Sequence, residues 1–440
     1  MQSALARFLS EYGMILVLLL LCAFFSVVTT SDQSPTGGAA AREVVTAIQQ
    51  HFGPNPRVLI VASDLPSDTT FVASVARDLA ATGATILATI KGEPKAARAA
   101  LQKIAADGGK LDAIACTQVT GAWLVFSDLK TDFPSLGEPR VLTPRSYRWP
   151  NFLKSANLLN IANQIAVIAI VAIGMTMVII TGGIDLSVGS LLALSAVLVA
   201  GLIRDFAGGV NASLGGMLLA CLAAIILCGI VGAFSGFMVT QFAIPPFIVT
   251  LAMMLVGSGL AYILAQGQSI YQIPDSFVWL GRGADLFSLP NAVALMLLLY
   301  GLAHVLMSRM KLGRYLYAVG GNAEAARLSG VPVNRVLMFA YIASALLAGL
   351  GGVIMASQLK SGSATYGTMY ELYVIAAVVV GGTSLRGGEG KMLGTLTGAF
   401  TIAVIQNGMN LTNVESYTQK VVLGAVILGA VLVDRLRHPR

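Results

Sequence analysis

Charge is scarce in this chain. Asp, Glu, Lys and Arg together make up 11% of its 440 residues, while apolar residues make up 56%. Histidine occurs three times, as His51, His304 and His438, too scattered to gather around a metal. The four cysteines, Cys22, Cys116, Cys221 and Cys228, form no CxxC pair, and three lie in apolar runs. They read as small buried hydrophobes rather than as redox or metal chemistry. No Lys/Arg cluster is interleaved with aromatics, so the net charge of +7 points to membrane topology and away from nucleic acid. Catalytic and motor signatures are also missing. There is no GxSxG elbow and no HExxH. A P-loop needs GxxxxGK[ST], so that backbone amides cradle phosphate and the Lys neutralises it. The nearest text, GGEGKM at 387–392, lacks the first Gly and the hydroxyl. Any coupling to ATP must come from another chain.

What is present is apolar length. About 20 apolar residues cross a bilayer, and runs of that order recur. Beyond a first helix at about residues 14–28, spans are expected near 158–181, 187–204, 217–240, 249–266, 290–308, 336–358, 371–384, 392–410 and 418–434. The first run is long for a signal-peptide core and lacks a small-x-small exit, so it reads as a retained helix. Leu20-Leu21-Cys22 is not read as a lipoprotein box, because apolar residues continue past it. The span at 371–384 is short and ends in Gly, the pattern of a half-helix lining a cavity. The expected fold is an all-α polytopic membrane protein of about ten transmembrane helices, interrupted once.

That interruption is residues 31–148, where charges become dense and balanced in sign. Arg57–Ala62, Ala84–Ile90 and Leu111–Cys116 read as strands. Asp68–Thr82, with Asp68 as a cap, and Pro94–Ala106, with Pro at its start, read as helices. The order βαβαβ implies a small parallel sheet. The domains are therefore 1–30 as the first helix, 31–148 as an α/β domain, and 149–440 as the membrane core.

Lys and Arg set the orientation. Ten spans place both termini on one side, and Arg7, Arg309, Lys311, Arg314, Arg327, Arg335, Arg386, Lys391, Arg435, Arg437 and Arg440 share it. Lys154, Arg204, Arg282, Lys360 and Lys420 fall opposite. The richer side is cytoplasmic, which puts the α/β domain outside.

Polar residues inside the spans are the candidates for function. Asn160, Asn163 and Gln164 share one helical face, as do Gln406, Asn407 and Asn410. Such amides are either interhelical glue or the lining of a path for a hydroxyl-rich solute. Asp185 either caps a helix starting at Leu186 or meets substrate, and Glu371 near a helix start offers the same choice. The scarcity of other charges in the spans argues against a proton- or sodium-coupled carrier. A GGxxLxxG pattern occurs at 182–189 and again at 381–388, each after a Val/Ile-rich helix. It is either an internal repeat or a coincidence in a Gly-rich chain.

Between two apolar runs lies a short polar stretch with its own helix punctuation. Asn322 is an N-cap, Glu324 sits in the first turn, Gly330 suits a left-handed C′ position, and Pro332 blocks continuation. A helix of about two turns cannot stand alone in water, so it must lean on something.

Five runs in order give the chain a family likeness. VIITGGIDLSVGS at 178–190, IPPFIVTL at 244–251, GRYLYAVGGN at 313–322, EAARLSG at 324–330 and AVVVGGTS at 377–384 together resemble the permeases of ribose-type sugar ABC importers. The likeness spans about residues 150–436 and is weakly specific for substrate. It implies a bacterial inner-membrane permease working as a dimer with a second permease copy, two cytoplasmic ATP-binding subunits and a periplasmic sugar-binding protein. ATP and Mg would be held by the ATP-binding partner, and no cofactor by this chain. Glu324, Ala325, Ala326 and Gly330 fit the EAA-x3-G coupling pattern of importer permeases, so the family's coupling helix, with Gly321, Asn322 and Arg327, maps onto this stretch. The implied cargo is a monosaccharide or polyol; the alternatives are a nucleoside or autoinducer-like sugar derivative or, from another class, a membrane ligand sensor. The departure is the α/β domain, which looks like part of a lobe of a sugar-binding protein. The family passes from its first helix almost directly into a segment like NFLKSAN at 151–157.

Overall fold

The computed structural model describes residues 4–53, 55–286 and 288–437, so His438 and Arg440 lie outside the described residues. Two compact units divide the chain. Thr30–Pro150 forms one, and the segments on either side of it form the other.

The α/β unit opens and closes with an antiparallel pair, β1 (Thr30–Gln33) and β6 (Tyr147–Pro150), in register from Thr30 with Pro150 to Gln33 with Tyr147. Between them run α2 (Gly37–Phe52), β2 (Arg57–Ala62), α3 (Pro66–Ala80), β3 (Thr85–Lys91), α4 (Pro94–Ala106), β4 (Ala113–Cys116), the single turns α5 (Gln118–Gly121) and α6 (Leu129–Asp132), and β5 (Arg140–Leu142). The sheet is parallel in the order β3-β2-β4-β5. Its central strand is apolar on both faces, as a covered parallel strand must be. Val58, Ile60 and Ala62 pack with α2 and α3, while Leu59 and Val61 pack with α4 and with Phe126, Leu129 and Phe133. Sequence reading overlooked α2, β5 and the β1–β6 pair. It also made Asp68 a cap. The helix instead starts at Pro66, and the buried Asp68 carboxylate turns back to accept from Ser63 N (3.1 Å) and Oγ (2.6 Å). Burial pushes the Cys116 thiol up to about 12, so it carries no thiolate at neutral pH.

The second unit is helical: α1 (Ala4–Val28), α7 (Ser155–Ile180), α8 (Val188–Phe206), α9 (Leu214–Gln241), α10 (Pro246–Leu264), the single turn α11 (Trp279–Arg282), α12 (Asn291–Arg309), α13 (Lys311–Gly321), α14 (Ala323–Leu328), α15 (Val333–Leu359), α16 (Tyr370–Val380), α17 (Met392–Leu411) and α18 (Ser416–Arg437). Among the described residues, six helices are long and apolar enough to cross a membrane: α7, α8, α9, α10, α12 and α15. Shorter apolar helices lie at Gly13–Val28, Tyr370–Val380 and Ser416–Leu432. The chain is a multi-pass membrane protein.

Position in the bundle follows composition. Every residue of α7 from Ile165 to Ile180 is buried, so this helix, apolar all round, is central. Helices α9 and α10 expose Leu218, Leu219, Ile226, Leu255 and Ile263, the surface expected of a lipid-facing shell. Small residues set the crossings. A Cβ on Gly174 of α7 would stand 2.5 Å from Ser344 Cα of α15, so the two backbones touch directly.

Helix α16 is only 11 residues long, about 16 Å at 1.5 Å per residue, too short to cross hydrocarbon alone. Residues 360–369 before it are not helical, and Lys360 and Met369 take left-handed backbone angles (φ 52° and 68°). This irregular stretch is tied down by an isolated bridge between Ile270 and Gly362, with N–H···O distances of 2.8 and 2.9 Å. Such backbone is tolerated at membrane depth only against protein or water.

Candidate functional site

A cavity of about 360 Å³ opens between α7, α15, α16 and α17. Gln164, Gln358, Gln406, Tyr370 and Tyr373 supply its polar lining, and Ile165, Ile168, Met355, Leu359 and Ala403 the apolar part. The two tyrosine rings meet edge to face with centroids 6.3 Å apart. The volume suits a small molecule. Three amides and two phenols can both donate and accept hydrogen bonds, and none of the lining residues is charged.

The two amide stripes expected from the sequence do not arrive whole. Gln164 and Gln406 meet in the cavity; Asn163, Asn407 and Asn410 bond to other helices. Asn163 Nδ2 donates to Gly281 O of α11 (3.3 Å), and Asn163 O accepts from Gln358 Nε2 (3.1 Å). Asn407 exchanges two hydrogen bonds with Asn157, at 2.9 and 3.0 Å. Asn410 Oδ1 accepts from Gln419 Nε2 (2.7 Å), and Asn160 is exposed. Glue and lining thus share each stripe, because positions i, i+3 and i+4 spread over an arc wider than one cavity. Gln358, Tyr370 and Tyr373 escaped sequence reading. Each stands within a turn of a helix end, where polarity looks unremarkable.

Glu371, beside Tyr370, belongs to a different hollow of about 200 Å³ lined also by Ser190, Ser258, Tyr366 and Thr368. Adjacent residues at the start of α16 therefore face separate cavities.

Asp185 does not cap a helix at Leu186. Helix α8 starts at Val188, and Asp185 braces the loop before it. Its Oδ1 accepts from Ser187 N (3.0 Å) and Oγ (2.6 Å), and its Oδ2 from Ser344 Oγ of α15 (2.8 Å). The residue is 2% exposed, a burial that hydrogen bonds must offset. Tyr341 Oη lies nearby, with Gly183 pressed against it, and is buried without a hydrogen-bond partner among the described residues.

The Asn322–Gly330 stretch carries its punctuation as read. Asn322 Oδ1 accepts from Ala325 N (2.9 Å), capping α14. At the other end Gly330 N donates to Arg327 O and Val331 N to Ala326 O, both at 3.0 Å, with Gly330 at φ 82°. That is a Schellman stop, which a left-handed Gly permits. Only Ala326 of α14 is buried; Glu324, Ala325, Arg327 and Leu328 are exposed, Leu328 at 81%. The Glu324–Arg327 ion pair (2.5 Å) is too exposed to hold the helix. A Cβ added to Gly321 would point into open space. Helix α13, which runs straight into this stretch, was not expected from the sequence; Leu316 and Val319 anchor it.

Comparison with known proteins adds to this geometry. The family model described as branched-chain amino acid transport system / permease component matches residues 157–431. The ribose import permease protein RbsC of Escherichia coli (strain K12) is 44% identical over 293 residues, 66% of this chain and 88% of that protein. RbsC of Bacillus subtilis (strain 168) is 44% identical over 288 residues, 65% of this chain and 87% of its own. The D-allose transport system permease protein AlsC of Escherichia coli (strain K12) is 34% identical over 285 residues, 65% of this chain and 85% of its own. No solved structure matches.

Proposed function

This chain belongs to the permease-component family of that model, on its ribose-type sugar branch, and we propose that it is the membrane-spanning subunit of an ATP-driven importer for a monosaccharide or polyol. The observation that carries the cargo class is the cavity of three glutamines and two tyrosines with no charge in its lining. The family description names branched-chain amino acids, but a zwitterion would leave both its charges unpaired there. Hydroxyl groups, each a donor and an acceptor, are matched by amides and phenols.

In this reading the bundle has about ten spans in a bacterial inner membrane, with both termini cytoplasmic and Thr30–Pro150 outside. Two permease copies would form the path. Helix α14, capped and exposed, would dock in a cytoplasmic ATP-binding subunit that holds ATP and Mg. Closure of those subunits on ATP would displace α14 and turn the cavity from one side of the membrane to the other. A solute-binding protein would deliver the sugar, and the α/β unit would receive it. Deleting residues 35–145 tests that last role, since unchanged receptor affinity and unchanged uptake would remove it.

The central test is reconstitution of the chain with its cognate ATP-binding and solute-binding subunits in liposomes. Uptake of ribose, allose or arabinose with stimulated ATP hydrolysis is the expected result. Uptake of leucine but of none of these sugars would overturn the reading.

A further inference from the structure

The two GGxxLxxG stretches, which the proposed function leaves unused, converge at the Ile180 end of the bundle. They begin alike. Gly182 N donates to Ile179 O and Gly183 N to Val178 O; Gly382 N donates to Val379 O and Thr383 N to Val378 O. Gly182 and Gly382 are left-handed, at φ 81° and 89°; they are the first glycine of one pair and the second of the other, so the matching turns lie one residue out of step with the GGxxLxxG alignment. Each stretch thus stops a helix, α7 or α16, in the same way and starts the chain back through the bundle as α8 or α17.

Their ends then touch. Ile180 O, the last carbonyl of α7, accepts from Gly388 N (2.8 Å) in the loop between α16 and α17. Gly320 of α13 wedges into this contact: a Cβ there would collide with Ile180 O and stand 2.6 Å from Gly388 N. A Cβ on Gly387 would stand 2.9 Å from Gly320 O. Tyr317 of α13 clamps the same loop by donating from Oη to Gly390 O (2.7 Å). Three backbones meet here with no side chain between them, so no rotamer change can absorb a displacement. Helices α7, α16 and α17, whose ends meet here, supply three of the four walls of the 360 Å³ cavity. On the other side, α13 ends at Gly321 and Asn322 caps α14.

We propose that the backbone joint of Gly320, Ile180 and Gly388, clamped by Tyr317, transmits displacement of α14 to the helices that wall the solute cavity. The proposal rests on the reading of α14 as the contact with the ATP-binding subunit. Gly320 and Tyr317 are then positioning residues, and the quantity they control is solute moved per ATP hydrolysed.

The test uses the complete transporter in liposomes, with ATP hydrolysis and sugar uptake measured together. Tyr317→Phe keeps the ring and removes the hydrogen bond. It is expected to leave stimulated hydrolysis within about twofold while uptake per ATP falls about threefold to tenfold, the range a single lost hydrogen bond gives. Gly320→Ala is expected to uncouple further, with the ATP-binding subunit still co-purifying. Should Gly320→Ala fail to assemble, Tyr317→Phe decides alone. Unchanged uptake per ATP in Tyr317→Phe overturns the proposal. So does a parallel fall of uptake and hydrolysis. Failure of the underlying reading looks different: Glu324→Lys would then transport normally.

Discussion

The two ends of α7 are built on opposite plans. Near its start, Gln164 reaches into a cavity beside two tyrosines and two further glutamines, all long side chains. At its finish, Ile180 offers only a carbonyl, held between Gly320 and Gly388. Under the proposed function one end would meet a solute that must enter and leave, and side chains that can exchange hydrogen bonds with water suit that task. The other end, in the proposed coupling, would pass on a displacement, and a backbone contact with no side chain free to rotate suits that task. Between them the helix is buried on every face from Ile165 to Ile180. The difference teaches where to test each proposed property: affinity in the side chains near Gln164, coupling in the glycines near Ile180.

The comparison can be broken in four places, in falling order of effect. Glu324→Lys reverses the charge on the exposed face of α14. In the proposed contact with the ATP-binding subunit the substitution removes the hydrogen bonds Glu324 would make there, a loss of about 2–5 kcal/mol, so uptake is expected to fall by about a hundredfold or more while membrane insertion, followed by fractionation, is unchanged. Replacing Gln406 or Tyr373 by Ala is expected to raise the KM for uptake about tenfold with uptake per ATP preserved. A fall in uptake per ATP there would erase the division between the two ends. Ser344→Ala removes a partner from the buried Asp185 carboxylate, at a cost of about 1–3 kcal/mol, read as a lower midpoint of thermal unfolding with KM unaltered. The smallest effect belongs to the Asn157–Asn407 pair. A double-mutant cycle to Ala is expected to give a coupling of about 0.6 kcal/mol, which assigns this amide pair to glue. A raised KM in the Asn407 variant would move it into the solute path.

Much of this arrangement was legible in the order of residues because lipid is an unforgiving solvent. Beyond α1, which starts at Ala4 and so ten residues before its expected apolar run, apolar runs located the long helices to within about four residues; the expected 392–410, for example, is Met392–Leu411. The punctuation of α14 was readable because capping is local: Asn322 and Gly330 act within one turn of themselves. Legibility failed where a role depends on a distant partner. Nothing near Asn407 marks it as the mate of Asn157, 250 positions away. Nor does anything near Gln358, Tyr370 or Tyr373 say that a cavity lies between them. Asp185 misled for the same reason. A Gly pair followed by Asp looks like a cap, and the Ser344 hydroxyl that claims one oxygen comes from 159 residues later.

The paired ends of the α/β unit carry a consequence for how such a chain can change. Thr30 lies opposite Pro150 at the mouth of that unit. Within the helical unit, Thr29 O accepts from Asn151 N (3.0 Å), and Thr29 Oγ1 from Phe152 N (3.1 Å). Entry and exit are thus neighbours on both sides of the seam. A segment whose two ends meet as Thr30 and Pro150 do can stand between Thr29 and Asn151 with the Thr29 contacts to Asn151 and Phe152 kept. The position behaves as a cassette slot, where one inserted module can be exchanged for another while the helical unit keeps its own contacts.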